Sequence, residues 1–114
     1  MLALADQQEV VGALADCIME IYALESAVLR AEKLLAAKAT AAKQAVALTQ
    51  YYAAKAFETI EASARKVIRA AAEGDMLRTQ MAILRRLAKC EPADTVAVGR
   101  QVAGHVIAAG RYAL

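Results

Sequence analysis

Few side chains in this sequence have the chemistry to react or to hold a ligand, and their spacing decides what each can do. The single histidine, His105, has no Cys, Asp or Glu near it on its predicted helix, so it lacks the neighbours of a metal site or a general base. A di-metal carboxylate bundle needs Glu-x-x-His on two helices, which one histidine cannot supply. Cys17 and Cys90 are far apart and neither belongs to a CxxC pair; they read as reduced thiols packed as small hydrophobes. Ser26 and Ser63 carry no nucleophile-elbow pattern, and no glycine-rich phosphate loop is present. The sequence therefore assigns no catalytic, cofactor-binding or metal-ligating residue.

Glu25 is the one acidic residue out of place. At 100° per residue it falls within the apolar face made by Leu14, Ile18, Ile21 and Val28, where an ionised carboxylate needs a partner. It is expected to be a buried structural acid, met by an Arg or Tyr from another helix and fixing helix register. A second anomaly lies further on. Met76, Leu77, Met81, Ile83, Leu84 and Leu87 cover a wide sector of one predicted helix, with Arg78, Arg85, Arg86 and Lys89 on the remainder. A simple bundle buries only one stripe, so Met76, Ile83, Leu84 and Leu87, rimmed by Arg78, Arg85 and Arg86, form a candidate docking surface. By contrast Glu61, Arg65, Arg69 and Glu73 follow an i, i+4 ladder, the mark of a solvated stripe. Tyr51 and Tyr52 flank the seam of their helix.

The elements that must carry these residues are helices. Val10, Leu14, Ile18, Ile21, Val28 and Leu35 recur by threes and fours and predict a first helix over about residues 4–37. Thr40 marks the break. Val46, Ala53, Phe57, Ile60, Ala64, Val67 and Ala71 then predict a second helix from about Ala41 to Glu73. Gly74 supplies a left-handed corner and Asp75 a cap for a third helix, about Met76 to Lys89, which ends before Pro92. Asp94 or Thr95 starts a fourth helix that reaches about Ala109, with Gly110 closing it. The fold class is all-α: an antiparallel up-down-up-down four-helix bundle with two long and two shorter helices.

The 114 residues suffice for one domain with one core, spanning residues 1–114. Alanine inflates the 60% hydrophobic fraction while removing little apolar area per residue, so interhelical spacing is expected to be tight. A net charge of +2 from 14 basic and 12 acidic residues, well mixed, lacks the field of a nucleic-acid binder. Charges interrupt every apolar run before it reaches the ~20 residues of a membrane span, and no basic segment precedes the first run as in a secretory signal. A cytoplasmic location follows as the expectation. The basic rim of the third helix allows at most peripheral membrane contact.

Several stretches, in order, carry a family resemblance. The run from Ile21 to Lys33 (IYALESAVLRAEK) resembles the start of the C-terminal helical domain of very-long-chain-type acyl-CoA dehydrogenases. Ile60 to Arg65 (IEASAR), Gly74 to Gln80 (GDMLRTQ) with Leu84 to Leu87 (LRRL), and Gly110-Arg111-Tyr112 are similar to later parts of the same domain. The resemblance implies a non-catalytic accessory domain of an FAD-dependent oxidoreductase of fatty acid metabolism. It implies that FAD, the catalytic Glu and the nucleotide-binding loops belong to upstream dehydrogenase domains, which become this chain's partners. It further implies support of a homodimer through interdomain packing. In mitochondrial members the domain is tied to membrane association. The alternative reading is an independent helical adaptor that self-associates and binds a protein partner.

Overall fold

The computed structural model describes residues 7–89 and 94–111. Its elements are α1 (Gln8–Ala36), α2 (Ala42–Ala71), α3 (Gly74–Leu87) and α4 (Thr95–Ala109), with no strand among the described residues. The all-α class and the division into two long and two short helices are as the sequence predicts. Residues 4–6 of the expected first helix, together with Cys90, Pro92 and Tyr112, lie outside the described residues.

The helix ends obey local chemistry. After Ala36, Ala39 N–H donates to Leu34 O and Lys38 N–H to Leu35 O, a Schellman closure with Lys38 in the left-handed region at φ 52°. The break thus falls beside Thr40, as expected, but backbone bonds form it. Gly74 is left-handed at φ 59°, as its position predicts. It opens α3 instead of closing α2, and Glu73 holds the extended N-cap position without a side-chain cap bond. Asp75, expected as that cap, lies in the first turn, where its charge faces the positive helix end. Asp94 accepts from Ala97 N–H at 3.0 Å and caps α4; Gly110, at φ 68°, ends it.

The helices are grouped in two compact units. The first combines the described residues up to Ile21 with those from Ala56 through α3; the second combines Tyr22–Lys55 with α4. In the first, Val10, Ala13, Ala56 and Ala72 are buried and the Cys17 thiol donates to Ile60 O. In the second, Ala31, Ala42, Ala45 and Ala47 are buried and the Thr49 hydroxyl donates to Ala27 O at 3.5 Å. In each unit, then, a segment of α1 packs against a segment of α2.

Alanine dominates the buried positions: among the described residues Val10 is the largest buried apolar residue, and no large side chain is fully buried. The face predicted for α1 is displaced. Leu14, Ile18, Ile21, Val28 and Leu35 are exposed, whereas Val10, Ala13, Cys17, Leu24, Ala27, Ala31 and Leu34 are buried or half-buried. Two heptad rows lie side by side on α1, and the row of smaller residues takes the contact with α2 because small side chains let backbones approach. The same shift appears on α2, where Ala56 is 1% exposed and the expected Phe57 is 40% exposed. Ala71 is exposed as well, while Val46, Ala53, Ile60, Ala64 and Val67 are half-buried.

In the second unit α4 meets α2 through one buried polar group. Gln44, 5% exposed, donates from Nε2 to Val102 O at 3.3 Å. Seven residues on, the Tyr51 ring lies against Gly99, whose missing side chain leaves the space; a Cβ there would sit 3.2 Å from Tyr51 Cε2.

Two stability outcomes follow. Lys38→Gly relieves a left-handed non-glycine residue, partly offset by a more flexible unfolded chain, and should stabilise by about 0.5–1 kcal/mol in a urea titration. Gln44→Ala removes the α2–α4 hydrogen bond and should cost about 1–2 kcal/mol, with faster hydrogen exchange confined to α4 and its contacts.

Candidate functional site

The side chains with reactive chemistry are already occupied or stand apart. Cys17 is free and half-buried, and its thiol points to the Ile60 carbonyl. Burial, aided by the Asp16 carboxylate, pushes this thiol above its ordinary value against a smaller opposing effect of a hydrogen bond with Ser63. It is a protonated structural thiol, the reverse of an activated nucleophile. The Ser26 hydroxyl donates to Tyr22 O one turn back along its own helix. His105 is exposed on α4. Among the described residues no three His, Cys, Asp or Glu side chains converge as metal ligands would. The Glu61–Arg65 pair of the expected ladder forms, half exposed, and Lys55 sits 5.9 Å from the centre of the Tyr51 ring.

The structure offers apolar surface instead. On α1, Val11, Leu14, Ile18, Ile21, Val28 and Leu35 form an exposed row with Tyr22 and Leu29 beside it. Glu25 lies in this row as the sequence predicts, but the row is uncovered in the chain by itself. The carboxylate expected to be buried is exposed, because the adjacent small-residue row took the inward position. On α3 no residue is buried. Met76, Ile83 and Leu87 share one exposed line, Leu87 at 76%, while Leu77, Met81 and Leu84 are half-buried. Arg78, Arg85 and Arg86 are exposed, with Arg78 3.7 Å from Asp75. The candidate docking residues of α3 are therefore together on one helix and accessible, apart from Leu84, which turns partly inward.

Sequence reasoning missed an open groove of about 550 Å³ in the second unit, where Leu35, Ala39, Val46 and Ala47 form apolar walls edged by Lys43 and Gln101. Its only forewarning was the alanine-rich run through the α1–α2 corner, where short side chains leave a hollow. Gln44 was missed too, since one glutamine among alanines carries no periodic signal.

The comparisons with known proteins agree on one family. Residues 1–86 match the family model described as acyl-CoA dehydrogenase, C-terminal domain. A probable acyl-CoA dehydrogenase of Bacillus subtilis (strain 168) is 38% identical over 111 residues, which are 96% of this chain and 19% of that protein. The crystal structure of an acyl-CoA dehydrogenase complexed with FAD from Bacillus anthracis is similar with a TM-score of 0.94 and 35% identity, over 98% of this chain and 20% of that one. The chain thus spans about a fifth of the length of these relatives.

The placement of Cys17 has a direct chemical readout. Alkylation by iodoacetamide should be slower than for an unhindered thiol at neutral pH and should accelerate only above the ordinary thiol range, because the thiolate is disfavoured. A rate equal to that of a free thiol would remove Cys17 from the α1–α2 seam.

Proposed function

The chain belongs to the acyl-CoA dehydrogenase C-terminal domain family, and from that premise we propose that it is a non-catalytic accessory domain of a larger FAD-dependent acyl-CoA dehydrogenase of fatty acid oxidation. The observation that carries this reading is the one-fifth coverage at near-complete structural agreement with a flavoenzyme. The abundant uncovered apolar surface supports it. A flavin pyrophosphate needs a cradle of backbone N–H groups or several cations, and the groove of the second unit, with one lysine and mainly aliphatic walls, does not fit it. FAD belongs in this reading to the upstream dehydrogenase domains.

Within the family, the runs IYALESAVLRAEK and GDMLRTQ support a very-long-chain type. The exposed line of Met76, Ile83 and Leu87, with Arg78, Arg85 and Arg86 at its rim and Leu84 behind it, is proposed as an interdomain contact that helps support a homodimer. Its cations also suit peripheral contact with acidic lipid headgroups, while no described helix is long and apolar enough to cross a membrane. The free Cys17 thiol supports a reducing, cytoplasmic setting.

An antibody raised to this chain, used on a denatured lysate of its source, tests the proposal. The expected result is one band several times larger than 12.1 kDa, from a protein that carries flavin absorbance when purified natively. A sole band near 12.1 kDa without flavin would support the independent helical adaptor instead.

A further inference from the structure

The groove at the α1–α2 corner lies wholly within the second unit, and its lining has the make-up of a site for a small amphiphile. Its volume, about 550 Å³, is within the range of ligand pockets, about 300–1,000 Å³. Leu35 from the end of α1, Ala39 from the corner and Val46 from α2 make aliphatic walls. The polar groups that line it are those of Thr40, Lys43, Gln50 and Gln101, all exposed. Neither an aromatic ring nor a carboxylate is among the lining residues.

Lys43 sets the sign of what this groove can hold. It stands in the first turn of α2, where no acidic residue is present, so its charge and the positive helix end add instead of cancelling. The ion pairs among the described residues, Glu61–Arg65 and Asp75–Arg78, do not involve it. A lone cation beside an apolar hollow favours a ligand that brings one negative charge on an apolar body. One ammonium balances a carboxylate and falls short of a pyrophosphate. The amide groups of Gln50 and Gln101 and the Thr40 hydroxyl can donate to the same carboxylate. With no ring to stack on, a planar aromatic body gains nothing beyond its area, whereas a flexible aliphatic chain can follow an open trough along Leu35 and Val46.

We infer that this groove binds a fatty carboxylate, with Lys43 on the carboxylate and Leu35 and Val46 along the aliphatic chain. The inference goes beyond the function proposed above and does not rest on it, because residues of one unit of this chain form the whole groove. Each methylene that the walls cover strengthens binding about fourfold, so affinity should rise with chain length. Leu35 and Lys43 are exposed, and changing either leaves the buried alanines in place.

Calorimetric titration of dodecanoate into the natural polypeptide that carries these residues, at its full length, tests the inference, with circular dichroism to verify the helicity of each variant. Lys43→Gln and Leu35→Ser should each weaken binding about tenfold, while Lys33→Gln, at an exposed cation of the same unit outside the groove, leaves it unchanged. The shorter octanoate and the uncharged dodecanol should also bind about tenfold more weakly than dodecanoate. A dodecanoate bearing a diazirine should label peptides that contain residues 35–50 or Gln101, and Lys43→Gln should lower that labelling. Absence of binding, labelling confined to other peptides, or equal effects of Lys43→Gln and Lys33→Gln would overturn the site. Dodecanol binding as tightly as dodecanoate would overturn the anionic ligand and leave an apolar segment of a protein as the occupant. The flavin readout of the preceding section is separate: this site can fail in a flavoprotein and hold in a chain of 12.1 kDa without flavin.

Discussion

Everything else in this structure depends on the close approach of α1 and α2 along rows of alanine. Ala13 and Ala31 on one helix and Ala42, Ala45 and Ala56 on the other are buried, with Cys17 and Thr49 making side-chain bonds to the opposing backbone. A backbone separated by methyl groups gains tight dispersion contacts. It removes little apolar area, since an alanine methyl contributes about 0.8 kcal/mol where a buried Leu or Ile contributes about 1.5–3. The seam sets the register and leaves most of the large side chains on the outside. Ile18, at 67% exposure, is a consequence of that choice.

A small-residue core changes what the remaining interactions must do. With no large side chain fully buried among the described residues, single polar contacts carry a larger share of specificity. Gln44 ties α2 to α4 in the second unit, and the space at Gly99 admits the Tyr51 ring. The helix ends are set locally, by Asp94 and Gly110 for α4 and by a Schellman closure for α1. Lys38 occupies a left-handed position that glycine would fill without strain. Such economy suits a piece of structure whose larger apolar residues are reserved for an outside surface.

The sequence revealed the elements better than their faces. Capping and corner residues such as Asp94, Gly74 and Gly110 act through backbone chemistry within a few residues, so each was legible. Which row of α1 turns inward was not. Leu14, Ile18, Ile21 and Val28 make a sound heptad row, and so do Ala13, Cys17, Leu24 and Ala31 beside it. Hydrophobicity favours the first as core, whereas backbone approach favours the second, and only the identity of the neighbouring helix decides. Glu25 was placed correctly on its row and wrongly in the interior for that one reason. Lys38, Gln44 and the groove at the α1–α2 corner gave no periodic signal. The α3 sector was legible because its excess width is itself the anomaly, and its outer line of Met76, Ile83 and Leu87 is the part that exceeds one stripe.

The same arrangement gives a chain with so little reactive chemistry the means to bind. Binding energy in such a domain resides in uncovered aliphatic rows, which are indiscriminate, because any apolar helix fits them to a first approximation. Discrimination must come from charges that are harmless in water and costly when covered without a partner. Glu25 and Glu32 meet that requirement on α1, and Arg78, Arg85 and Arg86 border the apolar line of α3 with the opposite sign. One face therefore asks for a cation and the other for an anion.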